Sequence, residues 1–227
     1  MTPVLPAFYF GSVEHYALLA RHPQIIIDIG EHYARQSYRT RTGIVGPNGP
    51  QHLSVQVEHD HGKKMPMCEV ELSYTETWPQ QHLHAIRSAY GQTPWFIHYI
   101  DDIEGVLLGR HARLTDLLQA TMRLGLRWLG LGTDLVVVER YVDMMSDEWR
   151  VTSDESADSA TRHPPLAARR FADLRTTFHP KKPLPPEVPA VPLYPQVFAD
   201  RHGFVPRMSV IDLVCNCGPE AERIIAG

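Results

Sequence analysis

Residues 4–29, VLPAFYFGSVEHYALLARHPQIIIDI, decide the reading of the fold. The apolar run Val4–Phe10 stops at Gly11. Ser12 can then cap a helix, and Val13, Tyr16, Ala17 and Ala20 recur at helical spacing until Pro23 ends the segment. The next run, QIIIDI at 24–29, is β-branched and almost continuous, the pattern of a strand covered on both faces. Strand, helix and strand in that order predict a parallel pair and therefore an α/β fold.

Downstream the pattern turns antiparallel. TGIVG at 42–46, the turn Pro47-Asn48-Gly49 and the alternating QHLSVQV at 51–57 predict a hairpin. MCEVELSY at 67–74, with Cys68, Val70 and Leu72 on one face, supplies a third strand able to share that sheet. Thr77, Pro79 and Gln80 mark a helix start; Leu83, Ile86 and Tyr90 continue its stripe to Gly91, and Thr93-Pro94 repeats the start signal. The longest helix is predicted over 114–129, and DLVVVERY at 134–141 reads as another strand.

Residues 146–170 are small, polar and without period, which predicts a mobile loop. The stretch 171–207 is rich in proline yet carries Phe171, Phe178, Tyr194, Phe198 and Phe204, so it reads as an ordered irregular strap and not a spacer. Ser209 and Asp212 open a last helix that Gly218 and Pro219 end. The expectation is one domain, 1–227, with a mixed β-sheet, flanking helices and a Pro-rich strap wrapping back over the site.

A chain of 227 residues, 43% hydrophobic and 21% charged, is long enough to bury a sizeable core. Its net charge of −4 gives no general electrostatic reason to bind DNA or anionic lipid. No apolar run reaches the ~18–20 residues of a membrane helix, and MTPVLPAFYF lacks the layout of a signal peptide, so membrane insertion is not expected. Three cysteines, Cys68, Cys215 and Cys217, are too few for a disulfide framework and fit a reducing, cytoplasmic setting.

Three stretches carry chemistry. EHYARQSYRTR at 31–41 gathers His32, Tyr33, Arg35, Gln36, Tyr38, Arg39 and Arg41; whether helical or extended, its arginines form a row suited to phosphate or carboxylate. DLRTTFHPKK at 173–182 joins Arg175, His179, Lys181 and Lys182 on a proline-stiffened turn. YPQVFADRHGF at 194–204 places Tyr194, Gln196, Arg201 and His202 before Gly203. On spacing alone, a solvated, charge-paired surface is the favoured reading of the first stretch and a solvated, proline-stiffened loop that of the second. His59, Asp60 and His61, or His82 and His84, lack the spacing of a metal site, and no GxGxxG or P-loop pattern occurs; no metal or cofactor is expected. The Cys215–Cys217 pair falls late in a helix, where a thiolate gains nothing, so buried thiols are the plainer reading.

Taken together, LPAFYFGSVEHYALLA, EHYARQSYRTRTGIVGPNGPQHLSVQV, DLRTTFHPKK and YPQVFADRHGFVPRMSVIDLVCNCGP resemble the WbqC-like protein family over most of the chain. The two C-terminal blocks are the specific part. His32, Tyr33, Gln36, Tyr38, Arg39 and Arg41 follow the family's first motif, with Thr40 where Asn is usual and Val55-Gln56-Val57 in place of Val-Pro-Val. The resemblance implies glycyl or aminoacyl transfer to an amino sugar, nucleotide-linked, in bacterial surface polysaccharide (O-antigen, lipopolysaccharide) biosynthesis.

Such a transfer needs a proton acceptor near neutral pH and donors for the developing oxyanion. The expected roles are His32 or His202 as base, Asp28 or Asp212 as its orienting acid, and Arg39, Arg41, Arg175 and Lys181 on the diphosphate or acyl donor. Tyr33, Gln36, Tyr38, His179, Lys182, Tyr194 and Gln196 complete the expected substrate contacts. The expected partners are a sugar nucleotide and an acyl donor or carrier protein. The competing class is a non-catalytic protein that binds a sugar nucleotide or acyl carrier for the same pathway.

Overall fold

The computed structural model describes residues 1–58, 64–142, 171–176 and 178–226. The opening segment folds as its sequence predicts: strand β1 (Thr2–Leu5), helix α1 (Val13–Ala20) and strand β2 (Gln24–Asp28), with β1 and β2 parallel and Val4 opposite Ile26. Ser12 caps α1 by accepting the His15 N–H at 3.3 Å. The continuous apolar run has the predicted cause. Leu5, Ile25 and Ile27 point into the main core, while Val4 and Ile26 face a second apolar cluster on the other side of the sheet.

The hairpin is strand β3 (Arg41–Gly46) and strand β4 (Gly49–Ser54), with Gly49 at φ 108°, a value glycine adopts without strain. The third strand does not extend this sheet. Only strand β5 (Val57–Glu58) and strand β6 (Glu71–Leu72) pair, as a separate ribbon, and Met67–Glu69 form a 3₁₀ turn behind Pro66. The backbone explains the break, because the Leu72 N–H donates to the Ala112 carbonyl and the Val70 carbonyl accepts from the Leu114 N–H.

Helices α2 (Trp78–Tyr90), α3 (Ile100–Leu108) and α4 (Leu114–Trp128) follow, the first and last as their apolar stripes predict. His82 faces inward from α2 and His84 outward, the divergence expected of residues two apart on a helix. Strand β7 (Asp134–Val138) then pairs parallel with β2, and strand β8 (Phe171–Asp173) pairs parallel with β1 on its other side. The main sheet therefore has the order β7-β2-β1-β8, all parallel, and the antiparallel pairings lie in the two ribbons. Together they make the expected α/β fold with mixed pairing.

The strap is ordered where described and begins in the sheet as β8. It carries the short helix α5 (Ala199–His202) and leads into helices α6 (Val210–Cys217) and α7 (Glu220–Ala226), both packed on α1. The expected loop at 146–170 lies outside the described residues, as do His59, Asp60 and His61. Because the four main strands are parallel, Leu5, Asp28, Val138 and Asp173 end at one edge. The order reverses at β1, flanked by β2 and β8, and such an edge is where open α/β sheets bind ligands.

Candidate functional site

Beyond the carboxyl ends of β2 and β8 lies a buried ionic cluster. Asp28, fully buried, accepts the Gly30 and Glu31 N–H groups on one oxygen and the Val142 N–H and Arg175 Nη1 on the other, the last at 2.5 Å. Arg175 also forks onto Asp173 at 2.9 and 2.6 Å, donates to the Val142 carbonyl and lies over the Tyr141 ring at 4.3 Å. Arg39 forks onto Glu31 at 2.7 and 2.6 Å and donates to the Arg175 carbonyl at 3.1 Å. Burial pushes the Glu31 carboxyl above its ordinary range against the pull of Arg39, whereas hydrogen bonding to Arg175 holds Asp173 below its own.

This cluster alters the roles expected of its members. Arg39 and Arg175 spend most of their donors on Glu31, Asp28, Asp173 and backbone carbonyls, so they lock the loops after β2 and β8 together. Asp28 receives no hydrogen bond from a histidine among the described residues. Neither does Asp212: it is fully buried and accepts from Tyr90 at 2.9 Å, Tyr194 at 2.7 Å and Gln196 at 2.7 Å. Gln196 also brackets Val205, accepting its N–H and donating to its carbonyl, so Tyr194, Gln196 and Asp212 tie the strap to α6. Burial raises the Asp212 pKa, opposed by these hydrogen bonds.

A second layer is exposed. Lys181 Nζ donates to Gln36 Oε1 at 3.2 Å, joining segments 145 residues apart. Gln36 adopts φ 53°, a left-handed conformation that a non-glycine residue holds only where its surroundings enforce it. Lys182 Nζ donates to the Thr176 carbonyl at 2.9 Å. His179 Nδ1 accepts the Lys181 N–H at 3.1 Å, which leaves the ring proton on Nε2. Burial, with Lys182, Arg39 and Lys181 nearby, lowers the His179 pKa, so its neutral ring offers an N–H donor. Beside this rim is a polar cleft of about 370 Å³ whose walls include Tyr33, Arg35, Gln36, Arg41 and Gln56.

Two expected bases lie differently. His32 is exposed next to Tyr33, its backbone bridged to Pro66. His202 is not at the cleft. It caps the far tip of the hairpin, with Nε2 at 3.2 Å from the Pro47 carbonyl, and Pro47 is six residues along β3 from Arg41, about 20 Å of extended chain. The first two blocks converge, while the third reaches them through a residue that sequence reading passed over. Arg207, at φ 63°, donates its N–H to Glu14 Oε1 at 2.9 Å and Nη1 to the Pro180 and Lys182 carbonyls at 3.2 and 2.6 Å. Tyr38 lies close enough to Glu14 and Arg207 to feel both charges, and burial first, then Glu14, pushes its hydroxyl up to about 12.

Glu31 and Glu14 were also passed over. The legible signals were an acid eight residues before Arg39 and an acid between Val13 and the apolar stripe of α1. The thiols fit the buried reading, since burial raises Cys215 and pushes Cys217 up to about 11. Among the described residues no three His, Cys, Asp or Glu side chains group as metal ligands.

The sequence profile of the WbqC-like protein family matches residues 9–224, from the loop after β1 to the last turns of α7. The chain belongs to the WbqC-like protein family. Comparison with curated proteins and with solved structures found no match. In this WbqC-like protein the matched span takes in the ionic cluster, the cleft and the strap. Among the described residues no helix is long and apolar enough to cross a membrane.

Proposed function

We propose that this WbqC-like protein binds a nucleotide-linked amino sugar through its diphosphate and transfers a glycyl or other aminoacyl group to the sugar amine, within bacterial surface polysaccharide (O-antigen) biosynthesis. The observation that carries the anion-binding half is the 3.2 Å contact between Lys181 and Gln36. It sets the cation of one block at the lip of a cleft lined by Arg35 and Arg41 of the other. In this reading Arg41 and Lys181 hold phosphate oxygens, the His179 Nε2–H donates to a phosphate or to the developing oxyanion, and Tyr33 packs against the sugar or base. His32, exposed and next in sequence to the cleft residue Tyr33, takes the proton that the amine loses as the new amide bond forms and the donor's leaving group departs. His202, Asp28 and Asp212 take no part in the chemistry.

The second reading, a binding protein without turnover, draws support from the absence of any hydrogen bond between a histidine and Asp28 or Asp212 among the described residues. Calorimetric titration with a nucleoside diphosphate tests the shared half. Each of Arg41→Ala and Lys181→Ala is expected to weaken binding about 10-fold or more, the weight of a charge-assisted contact. Wild-type protein that ignores the probe would contradict both readings. Amide formation from a glycyl thioester and a nucleotide-linked amino sugar, lost in His32→Gln with affinity kept, supports transfer; binding without turnover in any form supports the second reading.

A further inference from the structure

The strongest feature outside that cleft is a cavity of about 770 Å³ between the first turn of α1 and the strap, a volume typical of small-molecule sites. Val13, Leu184, Pro186, Val191 and Phe204 are among its walls, and Glu14 is its one acid. Proline fixes much of the strap side, so the cavity is held open by backbone that cannot easily collapse.

Glu14 is out of place in such walls. It is only 7% exposed; one oxygen accepts the Arg207 N–H at 2.9 Å, and Oε2 is buried with no hydrogen-bond partner among the described residues. A buried acceptor left unmatched is costly, more so on a charged group. The nearest cation does not remedy this, because the Arg207 guanidinium is turned to the Pro180 and Lys182 carbonyls. Tyr194, also in the wall, spends its hydroxyl on Asp212. Among the described residues nothing supplies that donor. Arg207 is also in the wall, but its guanidinium is spent on the Pro180 and Lys182 carbonyls, so Glu14 is the unmet charge, and the apolar walls disfavour a strongly polar body.

We propose that this cavity is a binding site for a compact ammonium group, such as a primary amine, carried on an apolar frame, with Glu14 Oε2 as its acceptor. The site goes beyond the diphosphate reading and stands without it, since its walls share no residue with the polar cleft. Arg207 is a positioning residue: its left-handed backbone aims the N–H that holds Glu14 Oε1, leaving Oε2 for the ligand.

Ligand-observed NMR with cyclohexylamine, cyclohexanol and cyclohexanecarboxylate tests it on the full chain. The amine is expected to bind at least about 10-fold tighter than the alcohol, as a charge-assisted bond implies, and the carboxylate not at all. Glu14→Gln should erase that preference while keeping the fold, because its amide oxygen still accepts from Arg207. Ala190→Trp, a bulky substitution in the strap wall, should weaken both probes. Equal binding of amine and alcohol, an amine affinity untouched by Glu14→Gln, or no binding of the amine overturns the proposal. If Glu14→Gln fails to fold, Ala190→Trp decides: amine affinity unchanged in that variant overturns it.

Discussion

The Arg175 guanidinium donates four hydrogen bonds, to Asp173, Asp28 and the Val142 carbonyl, from a position 3% exposed, whereas Lys182 reaches only the Thr176 carbonyl from the surface. Burial decides the consequence of losing each. Asp28→Ala leaves the buried Arg175 with one carboxylate in place of two and takes the acceptor from the Gly30, Glu31 and Val142 N–H groups, and is expected to cost about 3–5 kcal/mol in denaturant unfolding, while Lys182→Ala costs under about 1 kcal/mol. Comparable losses would mean that the ionic cluster is not what joins the loops. His15 offers a second test. Fully buried against Phe8, Tyr16 and Phe178, it has both ring nitrogens unpartnered among the described residues, and burial lowers its pKa to about 3. The unfolded imidazole titrates near the ordinary 6.5, so between 6.5 and 3 the unfolded chain holds the extra proton and stability falls on acidification. Glu31 and Asp212, raised in the fold, act in the opposite sense, so the wild-type slope is a sum. His15→Phe isolates one proton. It should be no less stable at pH 7 and should lose about 1.4 kcal/mol less per pH unit between pH 6 and 4. Parallel wild-type and variant pH profiles would show that His15 is not neutral in the fold.

At the scale of elements, the strap is held by Gln196, whose amide brackets Val205 and reaches Asp212. Gln196→Ala should speed amide exchange at Val197, Val205 and Arg207 while the β2 amides keep their protection, since the lost bonds are local to the strap. Uniform acceleration across β2 would show that the strap and sheet open as one unit. What was legible in the sequence follows the same division. The β1–α1–β2 unit, the hairpin and α4 were readable because their periods run long enough to exceed chance. Three-residue β8 has no period, and its place in the sheet depends on β1, far away in sequence. Cys68, Val70 and Leu72 alternate like a strand, yet Pro66 and the approach to α4 claim their backbone. Among the site residues, composition marked the basic blocks but did not separate Arg39 and Arg175, which are spent internally, from Arg41 and Lys181, which face the surface. That distinction depends on Glu31, Asp28 and Asp173 meeting in space. His202 was misplaced because its proximity to the other blocks was read from the motif, and the hairpin carries it to the far tip.

For the molecule as a whole, one edge of a parallel sheet collects loops from both ends of the chain. The buried ion pairs fix that edge, and the rim of Gln36, Arg41, His179 and Lys181 is where the proposed anion would bind. Amide chemical-shift mapping during titration with a nucleoside diphosphate tests this claim most directly. The largest shifts are expected together at Gln36, Arg41, Val55, His179 and Lys181, saturating with a single affinity. Shifts confined to residues outside the two blocks, or divided between the two blocks with different affinities, would contradict it.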